Sequence, residues 1–368
     1  MRRSGWIVIA CHEGTHSHAT SDTSGYQISR ITTEPRGPPA ENALRRAAVR
    51  SPCKTVRVTD RLMLLDTASL YFRAFYGVPD KVKAADGTSV NAVRGLLDMI
   101  AKLVTLYEPT HVVACWDDDW RPQWRVELIP SYKSHRVVEL VVDGPDVEEV
   151  PDPLEAQLPI IRTALAALGI PVVGAAAHEA DDVIGTLATR ATMPVDIVTG
   201  DRDLFQLVDD ARGVRVIYTA RGMSNLEVVT DSSVVSKYGV LPSQYADFAT
   251  MRGDASDGLP GVAGVGEKTA ATLLREHGDL AGIRAAALAG EGMSAALCAK
   301  LNAAASYLDL APTVVAVATD LDLTAPESPL HALDAEESAA ATTLAGTWNL
   351  GTSMARAVDA LRSVAHGA

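Results

Sequence analysis

From Arg61 onward, short apolar runs alternate with longer stretches whose apolar positions recur every three or four residues. RLMLLD, HVVACWD, IPVVGA, VDIVTGD and VRVIYT read as strands. SVNAVRGLLDMIAKLVTLY and LEAQLPIIRTALAALG read as amphipathic helices between them. Strand and helix in alternation predict an α/β core over 61–230, a mostly parallel sheet flanked by helices. After about Thr230 the strands fade, and alanine-rich segments such as AAALAGEGMSAALCAKLNAAA predict a second, all-helical domain over 231–368. No internal repeat of fixed period is present. Residues 1–60, rich in Ser, Thr, Arg, Pro and Gly, show no sustained apolar period and read as a disordered extension. Their one apolar run, Trp6 to Cys11, is shorter than the roughly 7 to 15 residues of a signal-peptide core. An over-long translation start would also explain them, since Met63 stands where ordered sequence begins.

A length of 368 residues suits about two domains. Apolar residues make up 47% and charged residues 21%, and no apolar run approaches the roughly 20 residues of a membrane helix, so a soluble protein is expected. Cys11, Cys53, Cys115 and Cys298 lie far apart with no CxxC pair, which argues against a zinc site or a disulfide framework and for a reduced, cytoplasmic setting. The net charge of -13 does not exclude a nucleic-acid partner, because the local field at the contact surface decides that.

Acids recur where strands end. Asp66 follows LMLL, Asp117 follows HVVACW and Asp201 follows VDIVTG. Parallel strands that end together line up their last residues along the edge where open α/β sheets bind ligands. Any one such Asp can simply cap the next helix, but two dense clusters accompany them. Glu179, Asp181 and Asp182 fall in the first turn of a helix, and Asp203 follows Asp201 and Arg202. Crowded carboxylates need a cation, and neither stretch carries enough Lys or Arg. Oxygen-only ligands suit Mg²⁺ or Mn²⁺, and paired ions about 3.5 to 4 Å apart serve displacement at phosphorus. Asp254 and Asp257, in MRGDASDGLP, stand at the junction with the helical part.

Taken in order, these segments resemble the 5′-nuclease and flap endonuclease family, which includes the nuclease domain of bacterial DNA polymerase I. The resemblance runs from about Leu62 to Leu274 through LLDTASLYFRAFYGVPD, GTSVNAVRGLLDMI, HVVACWDDDWRPQWRVELIPSYKSHR, HEADDVIGTLA, VTGDRDLFQLV and MRGDASDGLPGVAGVGEKTAATLL. It implies a PIN-like nuclease core with a helical arch, and metal ligands at Asp66, Asp117, Glu179, Asp181, Asp182, Asp201, Asp203, Asp254 and Asp257. Asp118 competes with Asp117 for the second-strand position; Asp117 is favoured because it ends the strand. Where the family commonly has Asn after the last Asp, Gly258 stands here, a change expected to loosen the turn.

The chemistry implied is metal-assisted hydrolysis of a phosphodiester leaving 5′-phosphate and 3′-hydroxyl ends, as a 5′-3′ exonuclease and flap endonuclease. Basic residues interleaved with aromatics, Arg121, Arg125, Lys133 and Arg136 with Trp120, Trp124 and Tyr132, suit backbone contact and base stacking on frayed DNA. In the family this region is the arch, with Tyr132 placed to stack on the terminal base. Lys133 is the leading electrostatic partner of the transition state, Arg125 the second and Arg73 a third. In GVAGVGEKT, Gly261, Gly264 and Gly266 let backbone amides approach a phosphate, with Lys268 and Thr269 at the helix start. A P-loop reading fails because Glu267 separates Gly266 from Lys268. The family's form of this segment is a helix-three-turn-helix whose carbonyls often hold K⁺. Such contacts read DNA shape, not sequence.

Three other readings compete. A DNA-binding protein of the same fold without catalysis is disfavoured because every acidic position is filled. An RNA nuclease is made less apt by the hairpin, and a Mg²⁺-dependent phosphatase leaves arch and hairpin unexplained. His111, His135, His178 and His277 lack a second His at ligand spacing and read as packing or surface residues. The chain after the hairpin is too short for polymerase domains, so a free-standing, monomeric, nucleoid-associated enzyme acting in replication and repair is expected, with flaps, nicks, frayed 5′ ends and RNA primers as substrates.

Overall fold

The computed structural model describes residues 60–141, 144–324 and 329–365. All but the last residue of the extension expected over 1–60 lies outside the described residues, as do Cys11 and Cys53. Among the described residues eight strands form: β1 (Leu62–Asp66), β2 (His111–Cys115), β3 (Val137–Glu139), β4 (Val147–Glu148), β5 (Val172–Val173), β6 (Val195–Thr199), β7 (Val214–Tyr218) and β8 (Glu227–Val229). Six of them make one sheet in the order β5-β2-β1-β6-β7-β8. Its pairs are parallel except β7 with β8. Asp66 is in register with Cys115, and Leu65 with Val198, so β2, β1 and β6 finish at one edge.

Alternation along the strands divides the core in two. Leu64, Val113, Ile197 and Val216 face the helix Ala180–Arg190, in an apolar layer that continues to Tyr245, Phe248 and Leu274 of the helical part. Met63, Leu65, Val112 and Val198 face the other way, toward the helix Asn91–Tyr107. The last helix, Gly351–Ala365, also packs on that second face through Met354, Ala357 and Leu361. The boundary expected at 231 therefore does not isolate the whole carboxy-terminal part, because its end returns to the α/β core. Among the described residues no helix is long and apolar enough to cross a membrane.

The expected helical arch takes another form. It contains one short helix, Gln123–Leu128, a tight turn at Ser134–Arg136, and then the antiparallel ribbon of β3 and β4. A third apolar cluster, with Ile129, Tyr132, Ala249, Leu259, Ala311 and Val314, ties the foot of this segment to the junction and to the helix Ala305–Val315.

Candidate active site

The carboxyl edge of β2, β1 and β6 opens into a cavity of about 250 Å³ lined by Asp66, Asp117, Glu179, Asp181 and Asp201, with Lys133 and Arg136 among its walls. Several of these acids also do structural duty. Asp66 Oδ1 accepts the backbone N–H of Ser69 at 3.1 Å and its Oδ2 accepts the Thr199 hydroxyl at 2.7 Å. Asp117 Oδ1 accepts the N–H of Ala180 at 2.7 Å, capping the helix that carries Asp181. Asp118 is exposed and pairs with Arg162 at 3.4 Å, away from the cavity.

Burial, with Asp117 and Asp201 nearby, pushes the Asp66 carboxyl up to about 7, against the lowering hydrogen bond from Thr199. Burial likewise raises Asp117, with Glu179 adding to it. Asp181 is raised well above the usual carboxylate range by burial and then by Asp66 and Asp201. Asp203 is raised by burial and then by Asp201, Asp257 and Asp254, so Asp203, Asp254 and Asp257 flank the main cavity beside Asp201. Asp203 Oδ1 is buried without a hydrogen-bond partner. Asp257 is raised by burial, although Lys133 pulls it down. The set carries more negative charge than its cations offset.

Among those cations, Lys133 belongs to the cavity. Its ammonium donates to Glu179, and although burial lowers it, Glu179 turns the net shift upward. Arg136 lies beside it, 3.5 Å from Asp257. Three expected DNA contacts are instead interior. Arg125, 2% exposed, donates to Glu179 at 2.6 Å and grips both oxygens of Asp182 at 2.8 and 2.7 Å. Arg121 pairs with Asp146 and donates to the carbonyls of Tyr132 and Pro130. Tyr132, 3% exposed, donates its hydroxyl to Glu179 at 2.6 Å, so its ring is not free to stack on a base. Asp182 is fully buried against Arg125 and turned away from the cavity. Arg73 borders an adjoining apolar groove with Phe72 and Tyr76, and its Nε is buried and unpaired.

The junction and hairpin sit beside this site. Asp254 pairs with Arg252 at 3.1 Å, and the Asp257 carbonyl accepts the N–H of Lys133 at 2.9 Å. Gly261 at φ 67° and Gly264 at φ 76° make the turn, and Gly266 caps the helix Glu267–His277. A β-carbon on Gly261 would lie 2.6 Å from the Arg252 carbonyl, so the glycine there is required by close backbone approach. Lys268 is exposed in the helix's first turn, with Thr269 beside it.

Sequence reasoning missed Glu148. It comes from β4, lines the cavity and is raised by burial, which Arg136 partly offsets. Its only signal was membership of an acidic stretch, PDVEEVPD, that reads equally as a solvated loop. Ser69 was missed too; its hydroxyl accepts the N–H of Gly200 at 2.9 Å and ties β6's end to the first helix.

Comparison with known proteins agrees with this architecture. Residues 61–239 match the model of the 5′-3′ exonuclease N-terminal resolvase-like domain, and residues 240–338 that of the 5′-3′ exonuclease C-terminal SAM fold. A 5′-3′ exonuclease of Streptomyces coelicolor is 59% identical over 302 residues, covering 81% of this chain and 99% of its own. One from Mycobacterium tuberculosis is 49% identical over 313 residues, covering 82% and 98%. The crystal structure of the T5 D15 protein with metal ions shares the fold, with a TM-score of 0.54 at 18% identity, covering 83% of this chain and 99% of that one. With two consecutive family models matched across residues 61–338 and relatives 59% and 49% identical along nearly their whole length, the chain belongs to the 5′-3′ exonuclease family.

Proposed function

We propose that this member of the family is a structure-selective nuclease that hydrolyses DNA phosphodiester bonds at flaps, nicks and frayed 5′ ends, RNA primers included. In this reading two divalent ions, Mg²⁺ or Mn²⁺, are held by Asp66, Asp117, Glu179, Asp181 and Asp201, with Asp203, Asp254 and Asp257 on the flank. Asp182 leaves the set, because Arg125 occupies both its oxygens. The observation that carries the proposal is the crowding of mutually repelling carboxylates, buried and half-buried, at one sheet edge, including a buried Asp203 oxygen with no partner. An all-oxygen donor set of this kind fits a hard divalent ion. Among the described residues no three acidic, His or Cys side chains already converge tightly enough for an ion, and Glu179 is turned toward Arg125, Tyr132 and Lys133. Closing on an ion therefore asks the carboxylates to rotate.

When bound, such ions supply Lewis acidity, lowering the pKa of water and offsetting charge on the scissile phosphate. Lys133 faces the same space and adds a positive charge that stabilises the phosphate as its negative charge grows. Arg136 supports it, and Trp120 and Phe72 give the cavity apolar walls. Gly261, Gly264, Gly266, Lys268 and Thr269 hold the duplex backbone at the hairpin, where backbone carbonyls offer a site for K⁺. Residues 61–230, completed by Asp254 and Asp257 at the junction, thus cut while the rest of the helical part from 231 grips DNA. The enzyme acts as a monomer in the cytoplasm, at the nucleoid.

Cleavage of a labelled 5′-flap duplex, beside blunt duplex and single strand, tests this reading with Mg²⁺, Mn²⁺ or EDTA and with Asp201→Asn. Metal-dependent cutting near the flap junction that the variant abolishes is expected. Tight flap binding without cutting under either metal would overturn it in favour of a binding protein.

A further inference from the structure

Arg125 is among the largest fully buried side chains, and it does not reach the cavity. Besides Glu179 and Asp182, its guanidinium donates to the carbonyls of Val314, at 3.1 Å, and Ala316, at 3.5 Å. Val314 lies in the last turn of the helix Ala305–Val315, and Ala316 begins a strap, residues 316–321, that lies across the back of the helix Ala180–Arg190. Its attachments are specific. Ala318 N–H donates to Asp182 Oδ1 at 2.8 Å, and Gln206 bonds both the carbonyl of Val315 and the N–H of Val317 at 3.2 Å. Thr186 donates to the Ala318 carbonyl and accepts from Leu321 N–H, each at 3.3 Å. Gly185 leaves room for the crossing, since a β-carbon there would lie 2.5 Å from the Ala318 oxygen.

We infer that Arg125 and the strap 316–321 are positioning elements that hold the Glu179 carboxylate in the wall of the acidic cavity and thereby set its affinity for divalent ions. A forked guanidinium fixes the angle as well as the position of the carboxylates it pairs with. The Asp182 carboxylate, itself fixed by the N–H of Ala318, holds the guanidinium in turn. Residues behind a metal-binding carboxylate govern how well it binds, by about 10- to 100-fold. This rests on the reading that Glu179 belongs to the ion-binding set.

The test is calorimetric titration of the full chain with Mn²⁺, without DNA, for the wild type, Arg125→Lys and Gly185→Ala. Thermal melting and binding to a plain duplex are measured on the same samples. Lysine keeps the charge and loses the fork; the alanine methyl pushes the strap off without touching the cavity. Both variants are expected to bind Mn²⁺ about 10- to 100-fold more weakly while holding duplex as the wild type does. Unchanged Mn²⁺ affinity in both variants overturns this inference alone. Loss of duplex binding together with Mn²⁺ affinity also overturns it, making the network a general support of the fold. A wild type that takes up no Mn²⁺ overturns the reading of the cavity, and this inference falls with it.

Discussion

Gly258 packs against Ser131 so closely that a β-carbon on it would lie 2.0 Å from the Ser131 carbonyl oxygen. The glycine sits at φ 70°, and the Ser131 hydroxyl donates to its carbonyl at 2.7 Å. The expected loosening of this turn is thus not what the structure has: the missing side chain lets the junction press against the segment that presents Lys133. Gly258→Ala should cost about 1–3 kcal/mol, from left-handed backbone strain and the clash. Urea unfolding measures that loss. Cleavage should fall chiefly in kcat, because Lys133 is displaced while the hairpin is not.

Lys133 supplies the cation nearest to Glu179. Lys133→Ala should lower single-turnover cleavage by about 10²- to 10³-fold, the usual loss when a charge-stabilising donor is removed. Flap-duplex affinity measured in EDTA should barely move. A binding defect as large as the rate defect would make Lys133 a docking residue instead.

Tyr132→Phe separates two roles. A stacking tyrosine would tolerate loss of its hydroxyl, since the ring does that work. The buried hydroxyl bonded to the Glu179 carboxylate predicts otherwise: a loss of about 1.5–3 kcal/mol in denaturant unfolding.

The carboxylates at the ends of β1, β2 and β6 were legible because a strand's end is fixed by local pattern, and parallel pairing then aligns neighbouring ends. The fates of Arg121 and Arg125 were not. Basic residues among aromatics look the same whether they face DNA or an interior acid, and their partners Asp146, Glu179 and Asp182 are distant in sequence or hidden by folding. The β3–β4 ribbon and β8 escaped notice because Glu139, Glu148 and Glu227 break runs already too short to show a period, whereas β5, just as short, sits in the apolar IPVVGA. The return of Gly351–Ala365 to the core needed tertiary contacts that its amphipathic pattern does not specify.

Asp66 gives the metal-free protein a defined pH response. Its carboxyl is raised from 3.8 to about 7 by burial and neighbouring acids, so between those values the folded state holds a proton that the unfolded state has lost. Its contribution to stability is therefore complete at low pH and is lost as pH rises through 7. In EDTA, Asp66→Asn should melt above the wild type at pH 8, with the gap narrowing toward pH 5. A gap of the same size at both pH values would contradict the raised carboxyl.

Asp181 and Asp182 are adjacent, equally acidic and indistinguishable by motif, yet one helical step turns them to opposite environments. Asp181 faces the cavity, where burial, Asp66 and Asp201 oppose its charge. Asp182 is locked to Arg125 and the Ala318 N–H. Removing charge from the first should relieve repulsion: Asp181→Asn should raise the metal-free melting temperature while abolishing cleavage. Removing it from the second leaves a buried guanidinium with part of its partner gone, a change that costs about 3–5 kcal/mol. Asp182→Asn should therefore lower the melting temperature. Melting both variants in EDTA reads the two signs directly, and shifts in the same direction would mean that the two acids share one environment.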